Sequence, residues 1–418
     1  AEFSVFPVAG ARFASPVMEW PPRPALAERD DARGWRALVT SGVFAAGAIW
    51  AKTPSYRLGD RSVARDLLVI LSGCLASGLL LGSALLVSVR LQRYLMYLHW
   101  VPLPIVTYWL PFQEWQFTDL RNLSAFRLRH IARTIRISTS DGEVLQGWHV
   151  APSQLGPDLA SSSLQAPGKD VLSEDLREAA FDEALADASR PAVLFLHGQG
   201  GTRGVYNRVE VVRGIASQLQ AHVIAIDYRG FGGSSGSPAQ EGLVLDAIAA
   251  WSWIRARRRT GIFVYGQSLG AAVALQLAAR LESPQAPADA GTPSGVVLDA
   301  PFSSAPAAAL RHPLYRPLAK VPVLRDALAR ALADRWESVT VVKRVFCPLL
   351  VFGSGRDGVV GPDGAVELAR TAAKERGETG TVQLAIVEDA LHTNAYASDK
   401  WLICMARFLA RTSGEQRS

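Results

Sequence analysis

The sequence contains very little cysteine and only a moderate amount of charge. Three cysteines in 418 residues cannot form a disulfide framework, and Cys74, Cys347 and Cys404 show no metal-ligand spacing. A charged fraction of 20% beside 49% hydrophobic residues excludes a disordered chain and a highly charged coiled coil. The net charge of +6 is spread along the chain, which argues against nucleic-acid binding. The length is sufficient for a globular enzyme.

One long stretch of the chain, residues 67–89, contains no charged residue. An α-helix of 23 residues spans a hydrocarbon core of ~30 Å, whereas a buried core helix is usually shorter and has a polar face. A shorter apolar stretch, residues 37–51, fits a second helix, an interfacial segment or part of a targeting signal. We therefore predict a partly flexible N-terminal segment over residues 1–66 and a single transmembrane helix over residues 67–89.

Residues 90–132 form an aromatic-rich linker directly after the predicted span. Aromatic rings settle in the headgroup layer of a membrane, although packing against a globular domain fits them equally well. The rings belong to Tyr94, Tyr97, Trp100, Tyr108, Trp109 and Trp115. More cations precede the span than follow it, which favours a cytoplasmic N-terminus, and the glycosylation sequon at Asn122 agrees with that orientation. We expect an integral membrane protein of the endoplasmic reticulum or another endomembrane.

From residue 133 onward, short strands alternate with helices. Two strands at 134–138 and 146–150 are followed by a Ser- and Pro-rich surface insertion, 152–190, with one candidate helix at 172–188. Six apolar runs follow, at 192–196, 222–226, 262–265, 296–298, 349–352 and 382–386. Helices are predicted between and after them, at 206–219, 240–257, 269–281, 362–375 and 400–411. This pattern predicts an α/β fold whose parallel sheet is covered on both faces, with functional groups at the carboxyl ends of its strands.

A sharp turn between a strand and a helix carries the candidate nucleophile, Ser268. The apolar run 262–265 precedes the residues Gly266-Gln267-Ser268-Leu269-Gly270, and an alanine-rich helix follows them. This is the pattern G-x-S-x-G in the context that a nucleophile requires. Residues 232–236 also match G-x-S-x-G, but they lead into Pro238 and are flanked by neither element. The context therefore favours Ser268.

An activated serine needs a base, and the base needs an acid that orients it. His392 follows the last strand, and Asp357 follows the strand 349–352, so the order Ser, Asp, His is the one expected in this fold. Two other carboxylates compete for the role of acid. Asp299 follows the strand 296–298, and Asp389 lies three residues before His392. The position of Asp357 at a strand end favours it.

An oxyanion hole requires two backbone N–H groups directed at the developing negative charge. One is expected from Leu269, directly after the nucleophile. The other is expected from Gln199, in the glycine-rich loop His197-Gly198-Gln199-Gly200-Gly201 that follows the first strand of the apolar series. Chemistry of this kind requires no metal and no organic cofactor.

The motifs resemble those of the α/β-hydrolase superfamily and, within it, the membrane-anchored lipases that cleave lysophosphatidylserine and monoacylglycerols. Besides the nucleophile turn, Asp357 and His392, the resemblance rests on His197-Gly198, Thr202-Arg203-Gly204, Asp227 to Gly232, Asp299 to Ser303 and Pro348-Leu349-Leu350. The Thr-Arg-Gly triplet points to the lipase branch. Gln199, Gln267 and Gly358 stand where that family typically carries Asn, His and Pro.

The resemblance implies an α/β-hydrolase domain over residues 133–412, with a mostly parallel sheet, the insertion at 152–190 and a cap at 302–344. It implies a membrane-anchored serine hydrolase that cleaves a lipid ester, a lysophospholipid or a monoacylglycerol, through an acyl-enzyme. The partners implied are the lipid substrate and the bilayer, with no nucleic acid. A protein acyl-thioesterase that removes palmitoyl groups, and a non-catalytic scaffold with the same fold, remain as alternatives.

Overall fold

The computed structural model describes residues 88–99, 119–162, 170–311, 320–377 and 381–415. The expected span over 67–89 lies outside these residues apart from its last two, and the apolar stretch 37–51 lies outside them entirely. Within the described ranges, no helix combines the length and the apolar character that crossing a bilayer requires. The membrane span therefore stays a prediction.

Eight strands form a single sheet in the order β1-β2-β4-β3-β5-β6-β7-β8. The strands are β1 Ala132–Ser138, β2 Val144–Val150, β3 Ala192–Leu196, β4 His222–Ile226, β5 Ile262–Gln267, β6 Gly295–Asp299, β7 Leu349–Ser354 and β8 Val382–Val387. β1 pairs antiparallel with β2, and β2 with β4, whereas every later pair is parallel. The predicted mostly parallel sheet is confirmed, and β1 and β2 form the hairpin expected around Asp141-Gly142.

The described helices lie mainly between the strands. They are α1 Val89–Tyr97, α2 Gly156–Ser162, α3 Asp170–Ala186, α4 Tyr206–Gln218, α5 Gln240–Arg255, α6 Leu269–Leu281, α7 Ala305–Arg311, α8 Pro322–Ala331, α9 Ser338–Val342, α10 Asp363–Arg376 and α11 Asp399–Glu415. The five helices predicted after β3 correspond to α4, α5, α6, α10 and α11, with ends that differ by a few residues.

Two apolar cores lie on opposite faces of the sheet. Alternate residues of β3 supply both, because successive side chains of a strand point to opposite faces. Leu194 belongs to the core that contains Trp251 of α5, and Phe195 belongs to the core that contains Trp401 of α11. Every residue of β3 is buried, which explains why this strand has a continuously apolar sequence.

The segment 152–190, expected as a surface insertion, contains two helices that pack beside the first strands. α3 begins two residues before the predicted helix and ends two residues before its predicted end. Its Phe181 is fully buried, with the guanidinium of Arg133 5.2 Å from the ring centroid. Arg133, on β1, also forms ion pairs with Glu178 and Asp182 of α3. The buried Arg133 thus links the insertion to the sheet.

The helix α1 lies in the region expected to be a linker, and it packs against the domain. Tyr97 is fully buried, and its hydroxyl donates a hydrogen bond of 2.8 Å to Asp334. Arg93 forms an ion pair of 2.9 Å with the same carboxylate. Asp334 belongs to the segment between β6 and β7, for which we predicted a cap, so α1 and this segment are joined directly. The role of that segment as a cap stays a prediction.

Candidate active site

Ser268 is the single residue between the end of β5 and the start of α6. Its backbone angles, φ 52° and ψ −112°, lie where residues with a side chain are rarely found. The strained turn is held by a hydrogen bond of 2.8 Å from the N–H of Ser268 to the carbonyl oxygen of Asp299, at the end of the neighbouring strand β6. Strain that the surrounding structure maintains is typical of a functional site.

The glycines on either side of Ser268 are required by close backbone contacts. A Cβ on Gly266 would overlap the carbonyl group of Gly270, and a Cβ on Gly270 would overlap the carbonyl oxygen of Leu196. The turn can therefore pack this closely against β3 only with hydrogen at both positions. The G-x-S-x-G pattern at 266–270 thus has a steric cause.

The structure brings together the side chains of Ser268, Asp357 and His392. Nε2 of His392 lies 3.1 Å from Oγ of Ser268, and Nδ1 of His392 lies 2.7 Å from Oδ2 of Asp357. Because a carboxylate only accepts hydrogen bonds, the proton on the ring is assigned to Nδ1, which leaves Nε2 free to accept the hydroxyl proton of Ser268. The imidazole is thus oriented as a base toward the serine.

Asp357 is held in its charged form. Burial acts to raise the pKa of this carboxyl, but the hydrogen bond and charge of His392 and two backbone N–H groups outweigh burial, so that the pKa lies below its ordinary value. The two groups belong to Val359 and Val360, which donate to Oδ1 over 2.8 and 3.0 Å. Both carboxylate oxygens therefore have donors, and the acid can stabilise a protonated imidazole.

The two competing carboxylates lie in other environments. Asp299 is fully buried and accepts a hydrogen bond of 2.7 Å from the hydroxyl of Tyr265, and burial raises its pKa to about 6. Asp389 is exposed to solvent. Among the described residues, Nδ1 of His392 donates a hydrogen bond to Asp357 alone.

The loop after β3 passes directly beside the nucleophile. A Cβ on Gly198 would lie 3.4 Å from Cβ of Ser268 and 3.3 Å from the carbonyl oxygen of Gln267. Among the described residues, neither the N–H of Gln199 nor that of Leu269 has a hydrogen-bond acceptor. Leu269 is also the first residue of α6, where the partial positive charge of a helix N-terminus favours an anion. Both N–H groups are therefore free to receive a substrate oxygen.

Contacts with α1 hold the same loop. The side-chain amide of Gln199 donates to the carbonyl oxygen of Leu95 over 3.2 Å, and the N–H of Gly200 donates to that of Tyr97 over 3.1 Å. Gly200 and Gly201 have φ angles of 65° and 61°, which glycine adopts without strain. The sequence predicted none of these contacts, because the two segments lie about a hundred residues apart.

Buried charged residues behind the loop were also missed from the sequence. Asp227, after β4, forms a fully buried ion pair with Arg203 and accepts a hydrogen bond of 2.6 Å from its backbone N–H. Arg208 of α4 donates to carbonyl groups of the loop. One signal for the burial of Arg208 was available, since it shares a helix face with Val212 and Ile215, four and seven residues later.

The site has the catalytic arrangement of a serine hydrolase. A hydroxyl is hydrogen-bonded to an imidazole, and the imidazole to a carboxylate, beside two N–H groups that have no acceptor among the described residues. Among the described residues, no group of three or more His, Cys, Asp or Glu side chains is placed to hold a metal ion. The strand-turn-helix position of Ser268 is the one that the α/β-hydrolase fold gives to its nucleophile.

Comparisons with known proteins agree with this class. Residues 191–345 match the family described as alpha/beta hydrolase fold. The chain is 31% identical over 278 residues to human protein ABHD12B, a match that covers 65% of this chain and 70% of that protein. It is 32% identical over 223 residues to the lysophosphatidylserine lipase ABHD12 of Xenopus tropicalis, covering 51% of each chain. The match with the same lipase of Rattus norvegicus is 30% identical and covers 65% of this chain and 61% of the lipase.

The chain belongs to the α/β-hydrolase family, as a serine hydrolase that resembles the ABHD12 branch. It spans roughly half to three fifths of the length of the lysophosphatidylserine lipases named above. An esterase of Pyrococcus furiosus is 19% identical with a TM-score of 0.48, covering 68% of this chain and 92% of the esterase.

Proposed function

We propose that this protein hydrolyses carboxylic esters of lipids through an acyl-enzyme formed on Ser268. The observation that carries the proposal is the pair of hydrogen bonds that connect Ser268 to His392 over 3.1 Å and His392 to Asp357 over 2.7 Å. A serine hydroxyl is a weak nucleophile unless a positioned base removes its proton, and this geometry supplies that base.

In the first half of the reaction, Oγ of Ser268 attacks the acyl carbonyl carbon while its proton passes to Nε2 of His392. The carbonyl oxygen becomes an oxyanion, which accepts hydrogen bonds from the N–H groups of Gln199 and Leu269. The tetrahedral intermediate then collapses, and the leaving alcohol takes the proton from His392. Asp357 keeps the imidazole in the required tautomer and stabilises its positive charge.

In the second half, a water molecule replaces the alcohol. His392 removes one proton from this water as it attacks the acyl-enzyme, and the same two N–H groups stabilise the second oxyanion. Collapse of this intermediate releases the fatty acid and returns the proton to Oγ of Ser268. The cycle uses only side chains and backbone groups of this chain, together with water.

We propose a single-chain lipid, a lysophospholipid or a monoacylglycerol, as the substrate. Two relatives are named lysophosphatidylserine lipases, and apolar side chains flank the triad of this chain. Val359 is 44% exposed two residues after Asp357, and Leu391 is 50% exposed directly before His392. Large apolar side chains that remain exposed beside a catalytic group favour an acyl chain over a polar substrate.

We further propose that the enzyme is anchored in an endomembrane by a single span over residues 67–89. The support is the length of this uncharged stretch and its position in the chain. The helix α1 begins at Val89, where the stretch ends, and packs against the hydrolase domain through Tyr97. An enzyme anchored in this way has lipid substrates in its own membrane.

The test compares the full chain with Ser268→Ala, and with Ser234→Ala as the matched control from the second G-x-S-x-G sequence. Each protein is incubated with a fluorophosphonate probe and, separately, with lysophosphatidylserine, monoacylglycerol and an S-acylated peptide. We expect labelling and lipid hydrolysis for the wild type and Ser234→Ala, and neither for Ser268→Ala. Hydrolysis of the S-acylated peptide alone would indicate a depalmitoylase. A folded wild-type protein that the fluorophosphonate probe does not label would indicate a non-catalytic scaffold.

A further inference from the structure

Arg208 donates hydrogen bonds to three carbonyl groups of the loop that carries the predicted oxyanion donor. Its Nη2 donates to the carbonyl oxygens of Gly198, over 3.0 Å, and Gln199, over 2.9 Å. Its Nη1 donates to the carbonyl oxygen of Thr202 over 2.8 Å. The carbonyl oxygen of Gly198 lies, in addition, 2.8 Å from Nδ1 of His197. One buried side chain of α4 therefore fixes the course of this loop.

The contact with Gly198 acts on the same peptide group as the oxyanion donor. The carbonyl of Gly198 and the N–H of Gln199 belong to one planar trans peptide, so the two groups point in opposite directions. A donor that fixes the carbonyl therefore fixes the direction of the N–H. A charged donor also polarises the peptide, which makes its N–H a stronger hydrogen-bond donor toward an anion.

The charge of Arg208 is not neutralised by direct contact with a carboxylate in the described part of the chain. The side chain is buried, its Nε has no partner there, and its three hydrogen bonds all go to carbonyl oxygens. Asp227, whose charge influences Arg208, forms its ion pair with Arg203 instead. Burial lowers the pKa of Arg208 to about 10, so the guanidinium still carries its charge at neutral pH.

We propose that Arg208 is a positioning residue, which orients and polarises the Gly198–Gln199 peptide so that the N–H of Gln199 stabilises the oxyanion. The inference rests on the proposed function, because it concerns a step of ester hydrolysis. The guanidinium touches no reacting atom and acts through the peptide group. Its effect therefore falls on the transition state and leaves substrate binding nearly unchanged.

The test uses Arg208→Met, Arg208→Lys and, as a matched control, Arg258→Met. Arg258 is also a buried arginine that donates to a carbonyl oxygen, that of Thr260, but it lies before β5, at the opposite end of this strand from Ser268. For each variant we measure kcat and KM for an ester and the affinity for a boronic acid, which forms a tetrahedral anionic adduct on serine. All measurements are made below the melting temperature of the least stable variant.

For Arg208→Met we expect kcat to fall about 10- to 100-fold with KM within about twofold, since loss of a direct oxyanion donor costs about 100- to 1,000-fold. The boronic acid should bind more weakly by a similar factor. Arg208→Lys keeps the positive charge but not all three contacts, so its kcat and its affinity for the boronic acid should lie between those of Arg208→Met and the wild type. If Arg208→Met does not fold, the parallel loss of kcat and boronic-acid affinity in Arg208→Lys decides the question.

Two results would overturn the inference while the proposed function stands. In the first, the wild type hydrolyses the ester and Arg208→Met keeps its kcat. In the second, the loss appears in KM, or equally in Arg258→Met. If the folded wild type hydrolyses no ester at all, the proposed function is wrong, and the inference is wrong with it.

Discussion

Asp299 accepts a hydrogen bond of 2.7 Å from the hydroxyl of Tyr265, and both side chains are buried under the turn that carries Ser268. The backbone carbonyl of Asp299 receives the N–H of Ser268, so this aspartate is close to the nucleophile without contacting the imidazole. Asp299 thus supports the turn, whereas Asp357 orients His392. The two roles can be separated by changing one oxygen in each carboxylate.

Asp357→Asn should reduce kcat about 10,000-fold, because an amide cannot hold the imidazole in the tautomer that accepts the serine proton. Asp299→Asn should reduce kcat less than tenfold, because the amide oxygen can still accept the hydrogen bond of Tyr265. The measurement is kcat for a short-chain ester, with the melting temperature of each variant as a control for folding. A loss of activity in Asp299→Asn as large as that in Asp357→Asn would contradict the assignment of the acid.

A second prediction concerns the steric requirement for glycine at position 270. A Cβ there would overlap the carbonyl oxygen of Leu196, so Gly270→Ala should lower the free energy of unfolding by about 3 kcal/mol. Gly358→Ala is the matched control, since a Cβ at that position meets no atom within 4 Å. Its effect should stay below about 1 kcal/mol. Urea denaturation measures both, and equal destabilisation would show that the turn is not as tightly packed as described.

Two buried histidines next to the insertion form a chain of hydrogen bonds with Arg133. Nε of Arg133 donates to Nδ1 of His149 over 3.2 Å, which assigns the ring proton of His149 to Nε2. This nitrogen lies 3.0 Å from Nδ1 of His222. Burial is the main cause that lowers the pKa of both histidines, that of His222 to about 3. Both rings are therefore neutral in the folded protein.

These histidines should make the protein less stable in mild acid. In the unfolded chain a histidine binds a proton below a pH of about 6.5, whereas in the folded protein the depressed pKa prevents this. The free energy of unfolding therefore falls as the pH falls from about 6.5 toward 3, and these histidines do not affect it above a pH of about 6.5. At pH 5 the loss should reach about 2 kcal/mol for His222. His222→Gln should show a smaller fall in unfolding free energy between pH 7 and pH 5 than the wild type.

The control for this pH effect is His130→Gln, which changes an exposed histidine. Its fall in unfolding free energy between pH 7 and pH 5 should equal that of the wild type. Burial raises the pKa values of Asp246 and Asp299 to about 6. Protonation of these two carboxyls increases the stability of the folded state as the pH falls, which opposes the effect of the histidines. Each variant is therefore compared with the wild type at each pH. Identical pH profiles for His222→Gln and the wild type would refute the prediction.

The parts of the structure that the sequence predicted are those with local signals. The strand β3 is a continuously apolar run because both of its faces are buried, and the nucleophile turn contains glycines where backbones meet. The position of Asp357 at a strand end favoured it as the acid, although Asp299 also follows a strand. The structure adds a difference in their hydrogen-bond partners, which are Tyr265 for Asp299 and His392 for Asp357.

The parts that the sequence did not predict depend on partners far apart in the chain. For Tyr97 the sequence left open both the headgroup layer and packing against the globular domain, and it did not indicate the partner, Asp334, 237 positions later. The carbonyl partners of Arg208 form no sequence pattern, so its contacts with the loop were not predicted. A single residue does not indicate which distant residue it will contact, whereas a periodic run of apolar residues indicates which of its side chains are buried.

The final prediction separates the backbone of Gln199 from its side chain. The side-chain amide donates to the carbonyl oxygen of Leu95, away from the triad, whereas the N–H has no acceptor among the described residues and is the predicted oxyanion donor. Gln199→Ala keeps the N–H and loses only the hydrogen bond between the side chain and Leu95, which contributes little free energy. We therefore expect kcat to change less than about threefold.

Gln199→Pro removes the N–H itself and should lower kcat about 100- to 1,000-fold, the usual cost of losing one oxyanion donor. KM should change little, because the donor acts on the transition state, and the melting temperature of each variant shows whether the loop still folds. Because proline also fixes φ, the affinity for a boronic acid is measured beside kcat, and the two should fall together. If Gln199→Ala loses as much activity as Gln199→Pro, the side chain is the essential group, and the second donor of the oxyanion hole must come from another residue of the loop.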